Sequence, residues 1–298
     1  MEPIKNILFP TDFSPCARFA AGNALAFARK YDADLFLLHA SLLYENDPQK
    51  TDKLQDEQLE ITPEPYVNRR MDDVLDVYNA NTDNVHRVQI RGITEVASIL
   101  EYAHNNPINL IIMGTHGRRG FKRWLLGSVA EEMVRMAPCP VITLKEHWNG
   151  NLGNLRKILV PIDFSETSRK ALHYAQQLAA RFNATLYLLH VIQEPFLQDL
   201  YGTTLPNTND FQDETEQRAR EIMKSMVQET EEDREVEMVV ASGHPAREII
   251  QFADTNGIDL IFMAHTGHTR LPDRILGSVT EHVVRTAHCP VFTAPMDG

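Results

Sequence analysis

Short apolar or β-branched runs alternate with longer stretches of helical periodicity along this chain of 298 residues. In the first half the runs are ILFP at Ile7, DLFLLHA at Asp34, VHRVQI at Val85, LIIMG at Leu110 and PVITL at Pro140. Each has the length and composition of a strand. Between them, amphipathic spacing predicts helices over Pro15–Tyr31, roughly 68–78, Glu95–Asn105 and Ser128–Met136. Ser14 followed by Pro15 reads as a helix cap with proline at the first helical position, and Ser165 with Ser168 offers an equivalent start later in the chain. The second half repeats the strand runs as ILVP, ATLYLLHV, EVEMVV, LIFMA and PVFTA. Strands apolar on both faces and separated by helices imply a parallel sheet with helices on each side. Each half is therefore expected to be a five-stranded doubly wound α/β domain of the Rossmann-like class.

The halves are copies of one another. KNILFPTDFS at Lys5 matches RKILVPIDFS at Arg156 in six of ten positions, at an offset of 151. LLGSVAEEMVRMAPCPVIT from Leu125 matches ILGSVTEHVVRTAHCPVFT from Ile275 in twelve of nineteen, at an offset of 150. A period of half the chain is too long for a solenoid repeat, so two whole domains are expected, at 1–146 and 155–298. The joint HWNGNLGNL, rich in Gly and Asn, reads as a linker over 147–154.

Charge narrows the partners. The chain carries 29 basic against 41 acidic residues, a net charge of -12, which opposes adhesion to nucleic-acid phosphates and anionic lipid. No apolar run is long enough to span a membrane, and MEPIKNILFP lacks a signal-peptide core. Cys16, Cys139 and Cys289 are too scattered for a disulfide framework. A cytoplasmic location is the expectation, with no nucleic acid partner and no membrane span.

Open α/β sheets bind ligands beyond the carboxyl ends of their strands, where strand order reverses. PTDFS places Asp12 at the end of strand one. MGTHGRRGFKRWLLGS follows strand four and runs into a helix near Ser128. Gly114, Gly117 and Gly120 are expected to supply positive φ and close approach to a ligand. Gly127 and Ser128 are expected to present free N–H groups and a hydroxyl at the helix N-terminus. Arg118, Arg119, Lys122 and Arg123, with no acid among them, give this loop +4 inside an acidic chain. An anionic ligand accounts for that concentration of charge.

Gly114, Gly117, Gly127 and Ser128 have the spacing glycine, two residues, glycine, nine residues, glycine, serine. With the openings ILFPTDFS and ILVPIDFS, the strand endings LLHA and LLHV, the segment GHPAREII and the closings APCPVITL and AHCPVFTA, the chain resembles the universal stress protein (UspA-like) family in tandem form. The resemblance implies a Rossmann-like fold of the adenine nucleotide alpha hydrolase type. It also implies a stress-response protein that binds ATP, accompanied by Mg2+, and acts through nucleotide-dependent conformation or partner binding rather than catalysis. On this resemblance Asp12 meets the adenine or ribose side and Ala40 lines the adenine pocket. Met113 and Gly114 flank base and ribose, while Gly117, Gly127, Ser128 and Val129 hold phosphates. It implies further that PVITL and PVFTA pair the two halves as an intramolecular pseudo-dimer, and two chains are expected to associate as a homodimer.

The second copy departs from this pattern. Ala264 stands where the first glycine belongs, and its methyl is expected to interfere with ribose approach, although Gly267, Gly277 and Ser278 keep their spacing. Arg270 and Arg274 against Asp273 leave that loop only +1, and Pro272 stiffens it. The second site is expected to be weak, or adapted to another ligand, with Asp163, Val191, Met263 and Val279 as its further candidates.

Other constellations carry less. His244, His265 and His268 are expected on neighbouring loops, but without metal-site spacing they read as loop or pocket-wall residues. His39 and His190 read as buried and hydrogen-bonded. Cys139 and Cys289 read as small core residues. Asp12, Ser14 and His39 do not make a catalytic triad, because no G-x-S-x-G elbow is present. The acidic stretch from Asp213 reads as a helix with Ala219, Ile222, Met223 and Met226 on its apolar stripe. Loops 41–67 and 193–211 are long and differ between the copies. Rival readings are a slow ATPase, since no Walker lysine is present, and a metabolite or metal sensor using the divergent second pocket.

Overall fold

A computed structural model describes residues 3–42, 63–78, 83–116, 126–146, 148–193, 208–229, 236–267 and 276–295. The chain divides into two compact units, residues 2–146 and 147–298. The first contains β1 (Asn6–Pro10), α1 (Pro15–Tyr31), β2 (Asp34–Leu42), α2 (Pro63–Val77), β3 (Val85–Gly92), α3 (Glu95–Asn105), β4 (Leu110–Gly114), α4 (Ser128–Met136) and β5 (Val141–Leu144). The second contains β6 (Lys157–Ile162), α5 (Glu166–Phe182), β7 (Thr185–Ile192), α6 (Thr208–Gln228), β8 (Val236–Ser242), α7 (Pro245–Asn256), β9 (Leu260–Ala264), α8 (Ser278–Thr286) and β10 (Val291–Ala294).

In the first unit the strands lie in the order β3-β2-β1-β4-β5, all parallel, with Ile7 opposite Leu35 on one side and Leu110 on the other. The second repeats it as β8-β7-β6-β9-β10, with Ile158 opposite Leu186 and Leu260. Consecutive residues Ile7, Leu8 and Phe9 are all fully buried, as are Ile158, Leu159 and Val160. Successive side chains in a strand point to opposite faces, so both faces of each central strand are covered. Phe262 and Phe292 stack at 4.4 Å in the second core, a pairing that adds about 1 kcal/mol beyond burial.

Helix α1 shows why the sequence ends its elements where it does. The Ser14 hydroxyl accepts from the Ala17 amide at 3.2 Å, Pro15 needs no partner in the first turn, and Asp32 closes the helix with φ 53. Its buried residues include Cys16, Ala17, Ala20, Ala21, Ala24 and Ala28, small enough to let the helix lie close on the sheet, together with Asn23, Leu25 and Phe27. Ser165 and Asn183 (φ 55) do the same work for α5.

Several boundaries differ from the sequence expectation. The second helix begins at Pro63 rather than near residue 68, because prolines at 63 and 65 are tolerated in a first turn that needs no amide partners. Strand β2 continues to Leu42, and α6 begins at Thr208, ahead of Asp213, with Ala219, Met223 and Met226 buried and Ile222 half-buried. The first expected loop is thereby shortened at both ends and the second at its far end, and residues 43–62 and 194–207 lie outside the described residues. The segment expected as a linker is a packed turn: Leu152 and Leu155 are buried and the Asn154 amide donates to the Asn151 carbonyl at 2.9 Å.

Candidate functional site

In each unit the strand order reverses between the first and fourth strands, which opens a crevice at their carboxyl ends. The turn leaving β1 is built by short polar side chains. Asp12 Oδ1 accepts from the Ser14 amide at 3.0 Å, and Thr11 Oγ1 accepts from the Phe13 amide at 3.0 Å. Such side-chain turns curl the backbone tightly, and Phe13 is held at φ 62, in the left-handed region. Its ring lies 4.7 Å from His39, and the Arg70 guanidinium stands 5.4 Å above it. His39 Nδ1 donates to the Thr11 carbonyl at 2.8 Å, so this histidine shapes the turn.

The other wall comes from the end of β4. The Thr115 amide donates to Leu144 at 2.8 Å, the Gly127 amide donates to the Thr115 carbonyl at 2.7 Å, and Ser14 Oγ donates to the His116 carbonyl at 3.4 Å. These bonds bring Asp12, Gly114, Gly127 and Ser128 to one rim. Ser128 is exposed at the start of α4, and Gly127 caps that helix without a side-chain bond. Val129 is half-buried just behind it. Ala40 sits on β2 level with Asp12, since Pro10 pairs with Leu38. Met113 is buried at the end of β4. Gly117, Gly120 and the four cations Arg118, Arg119, Lys122 and Arg123 lie outside the described residues.

Two expectations are corrected here. Gly114 does not have positive φ; a Cβ there would come within 2.9 Å of Cys16 Sγ and 3.3 Å of the Cys16 backbone. The glycine is required by the approach of α1 to β4. Gly127 likewise lacks positive φ and its N–H is not free: it closes the rim on Thr115, and a Cβ at this position would come within 2.9 Å of the Thr115 carbonyl oxygen.

The second unit repeats the frame with different ties. Phe164 has φ 67 and stacks on His190 at 4.1 Å. Asp163 Oδ1 accepts from both the amide (3.0 Å) and the hydroxyl (2.5 Å) of Ser165, and a side chain on Gly267 would strike the Asp163 carboxylate. Thr167 Oγ1 donates to the Thr266 carbonyl at 2.8 Å, where the first copy has Cys16, whose thiol points to the Leu144 carbonyl at 3.7 Å. Gly277 bonds back to His265 at 2.9 Å, Ser278 is exposed, Val279 is half-buried, and Val191 and Met263 are buried. Ala264 stands opposite Thr167, as Gly114 stands opposite Cys16 in the first copy.

Histidine and cysteine roles follow from burial. His190 Nδ1 donates to the Ile162 carbonyl at 3.0 Å, and burial lowers its pKa below the usual 6.5 although that bond and Asp163 pull upward. The native state thus holds a neutral ring that the unfolded chain protonates more readily, so its contribution is present above about pH 6.5 and is lost as pH falls through the lower native value. The drop in urea stability from about pH 8 to about pH 5 is expected to be smaller in His190→Asn than in the parent chain. Burial pushes the Cys139 thiol up to about 12, which suits a core residue. His244 stands beside His282, ring centres 6.5 Å apart, while the His265 amide continues the strand pairing to Ala294. His268 lies outside the described residues, among which no three His, Cys, Asp or Glu side chains are grouped to hold a metal. Among them too, no helix is long and apolar enough to cross a membrane.

Phe13, Phe164 and Thr115 were not singled out by sequence. The repeated DFS is the signal for the two phenylalanines, whereas Thr115 announces itself only through its fold-dependent bond to Gly127.

Comparison with known proteins places this frame. A universal stress protein of Methanocaldococcus jannaschii is 36% identical over 138 residues, covering 46% of this chain and 80% of the relative. One from Mycobacterium tuberculosis is 29% identical over 204 residues, covering 67% of this chain and 66% of the relative. The crystal structure of a universal stress protein from Archaeoglobus fulgidus superposes with a TM-score of 0.69 at 22% identity, covering 100% of each chain, a likeness of fold. The model of the universal stress protein family matches twice, at residues 3–145 and 154–295. With two matching segments that span nearly its whole length, the chain belongs to the universal stress protein family, as a tandem member.

Proposed function

We propose that this is a cytoplasmic stress-response protein that binds ATP, with Mg2+, in its first unit and signals through nucleotide-dependent conformation or partner binding. The observation that carries the reading is the rim of the first crevice, which holds Asp12 and the exposed start of α4 at Gly127 and Ser128, a helix with no side-chain cap. An ionised carboxylate only accepts hydrogen bonds, so Asp12 suits ribose hydroxyls or the adenine amine. Helix N-termini attract phosphate through their amides and dipole. The segment that joins β4 to α4 carries +4 in sequence and would supply counter-charge, and a Mg2+ ion would ride on the phosphates.

The second crevice is the weaker site in this proposal. Asp163 already accepts two bonds from Ser165 and is crowded by Gly267, and Thr167 ties the helix start to the loop after β9. With no base or Walker lysine assigned to a γ-phosphate, hydrolysis is slow or nil. Titration of the full chain with ATP in the presence of Mg2+ is expected to give one dominant binding event. Asp12→Ala should weaken it about tenfold or more, the worth of one charged hydrogen bond. A chain that shows no saturable ATP binding, or turnover at metabolic-enzyme rates that Asp12→Ala abolishes, overturns the reading.

A further inference from the structure

The second unit has an open groove of about 700 Å3 between α7 and α8, the latter being the helix whose start at Ser278 edges the second crevice. His244 and His282 face each other across it, Arg247 and Gln251 line its length on α7, and Ile250 gives it an apolar floor. One acid, Asp254, lines it, and Glu281 and Glu248 stand on the same helices. Asp254 accepts from His288 Nδ1 at 3.0 Å, Glu281 pairs with Arg285 at 3.0 Å, and Glu248 folds back against Gly243. Arg247 has no ion pair among the described residues, and the His244 ring makes no capping bond to α7.

The internal repeat shows that this lining is a departure. At an offset of 150 the first copy has Ala97 for Arg247, Glu101 for Gln251, Thr94 for His244 and Glu132 for His282. Arg247, His244 and His282 have been gained and the charges of Glu101 and Glu132 lost, while Asp254 stands where the first copy has His104 and Glu248 where it has Ser98, on a chain whose net charge is -12. Duplicated domains share the demands of the fold, so a coordinated change of charge at solvent-facing positions is not asked for by packing.

We propose that this groove binds a small phosphorylated molecule. A guanidinium offers a planar pair of donors matched to phosphate oxygens. The flanking imidazoles add N–H donors, and Gln251 with Ile250 suits a polar organic body of metabolite size. Two imidazoles alone leave a metal ion short of ligands, and the groove brings no third to them. The groove lining does not include Gly277, Ser278 or Val279, so the proposal does not depend on nucleotide binding in the second crevice.

The test uses the full chain carrying Gly127→Asp, so that occupancy of the first crevice does not contribute. Ring resonances of His244 and His282 are followed by NMR while inorganic pyrophosphate, and separately glycerol 3-phosphate, is added at millimolar concentration. Saturable shifts of both rings are expected. Arg247→Ala should weaken them at least tenfold, Arg247→Lys less, and His282→Glu, which restores the first copy's residue, should abolish the shift at His244. These residues are exposed, so the variants retain the fold, checked by the unchanged remainder of the spectrum. Absence of saturable shifts, or shifts that survive Arg247→Ala at full affinity, overturns the proposal. Tighter binding of glycerol 3-phosphate than of pyrophosphate marks an organic phosphate as the ligand, and binding of pyrophosphate without any response to glycerol 3-phosphate overturns the assignment to a phosphorylated metabolite.

Discussion

Gly127→Asp is expected to abolish ATP binding by the whole chain, while Gly277→Asp leaves it within a few-fold of the parent. At residue 127 a Cβ would lie 2.9 Å from the Thr115 carbonyl oxygen, a backbone atom that β4 and β5 hold in place through the Thr115 to Leu144 bond. The added carboxylate would then stand at the start of α4, where phosphate is proposed to sit. Like charges set against each other at a binding site cost several kcal/mol, so about 3 kcal/mol, or a hundredfold and more in affinity, is the expected loss. Aspartate is itself a good helix cap, so α4 should persist, and circular dichroism separates lost binding from lost folding. Gly127→Ala tests the steric part alone and should weaken binding less than Gly127→Asp does. At residue 277 the corresponding Cβ would have 3.2 Å to the His265 carbonyl oxygen, and that crevice is proposed to contribute little. Calorimetric titration of the three variants decides the matter: survival of binding in Gly127→Asp with loss in Gly277→Asp would reverse the assignment of the two crevices.

The second large effect is on stability. Gly114→Ala is expected to cost the first unit about 2 kcal/mol, the range seen when one carbon is forced into a packed site. The new methyl would meet Cys16 Sγ at 2.9 Å and the Cys16 backbone at 3.3 Å. Ser14 and Pro15 fix that first turn of α1, so the helix can yield only by lifting from β4. Cys16→Ala in the same chain should recover part of the loss, since the thiol goes but the backbone contact stays. Ala264→Gly in the second unit should destabilise by about 1 kcal/mol, through added freedom of the unfolded chain. Urea denaturation, with hydrogen exchange of the β4 amides to localise the change, measures all three. If Gly114→Ala is neutral in stability yet weakens ATP binding, then close approach of a ligand, and not of α1, is what the glycine serves.

Much of the frame was legible in the chain itself. Alternation of apolar runs with helical periodicity is a local signal, and the repeat doubled it, so Ser14 and Ser165 marked helix starts and Gly127 with Ser128 marked the later one. What was misread depends on neighbours distant in sequence. Gly114 was read as a positive-φ residue and Gly127 as a free N–H, yet Gly114 has an ordinary dihedral, the Gly127 amide is bonded to Thr115, and both are small because Cys16 and Thr115 come close. Phenylalanine suggests nothing of the kind, yet Phe13 and Phe164 carry the left-handed conformation. His244 was grouped with His265 and His268 on neighbouring loops, whereas helix packing sets it beside His282.

The sequence by itself determined the fold class, the duplication, the family and the rim of the crevice, because strand and helix periodicity, caps and motif spacing are written over short windows. Tertiary structure alone decided which contacts each glycine serves, how Asp163 and Thr167 are tied in the second crevice, and that a cationic groove lies between α7 and α8. Those depend on which side chains meet across elements far apart in the chain, and no short window of residues encodes such a meeting.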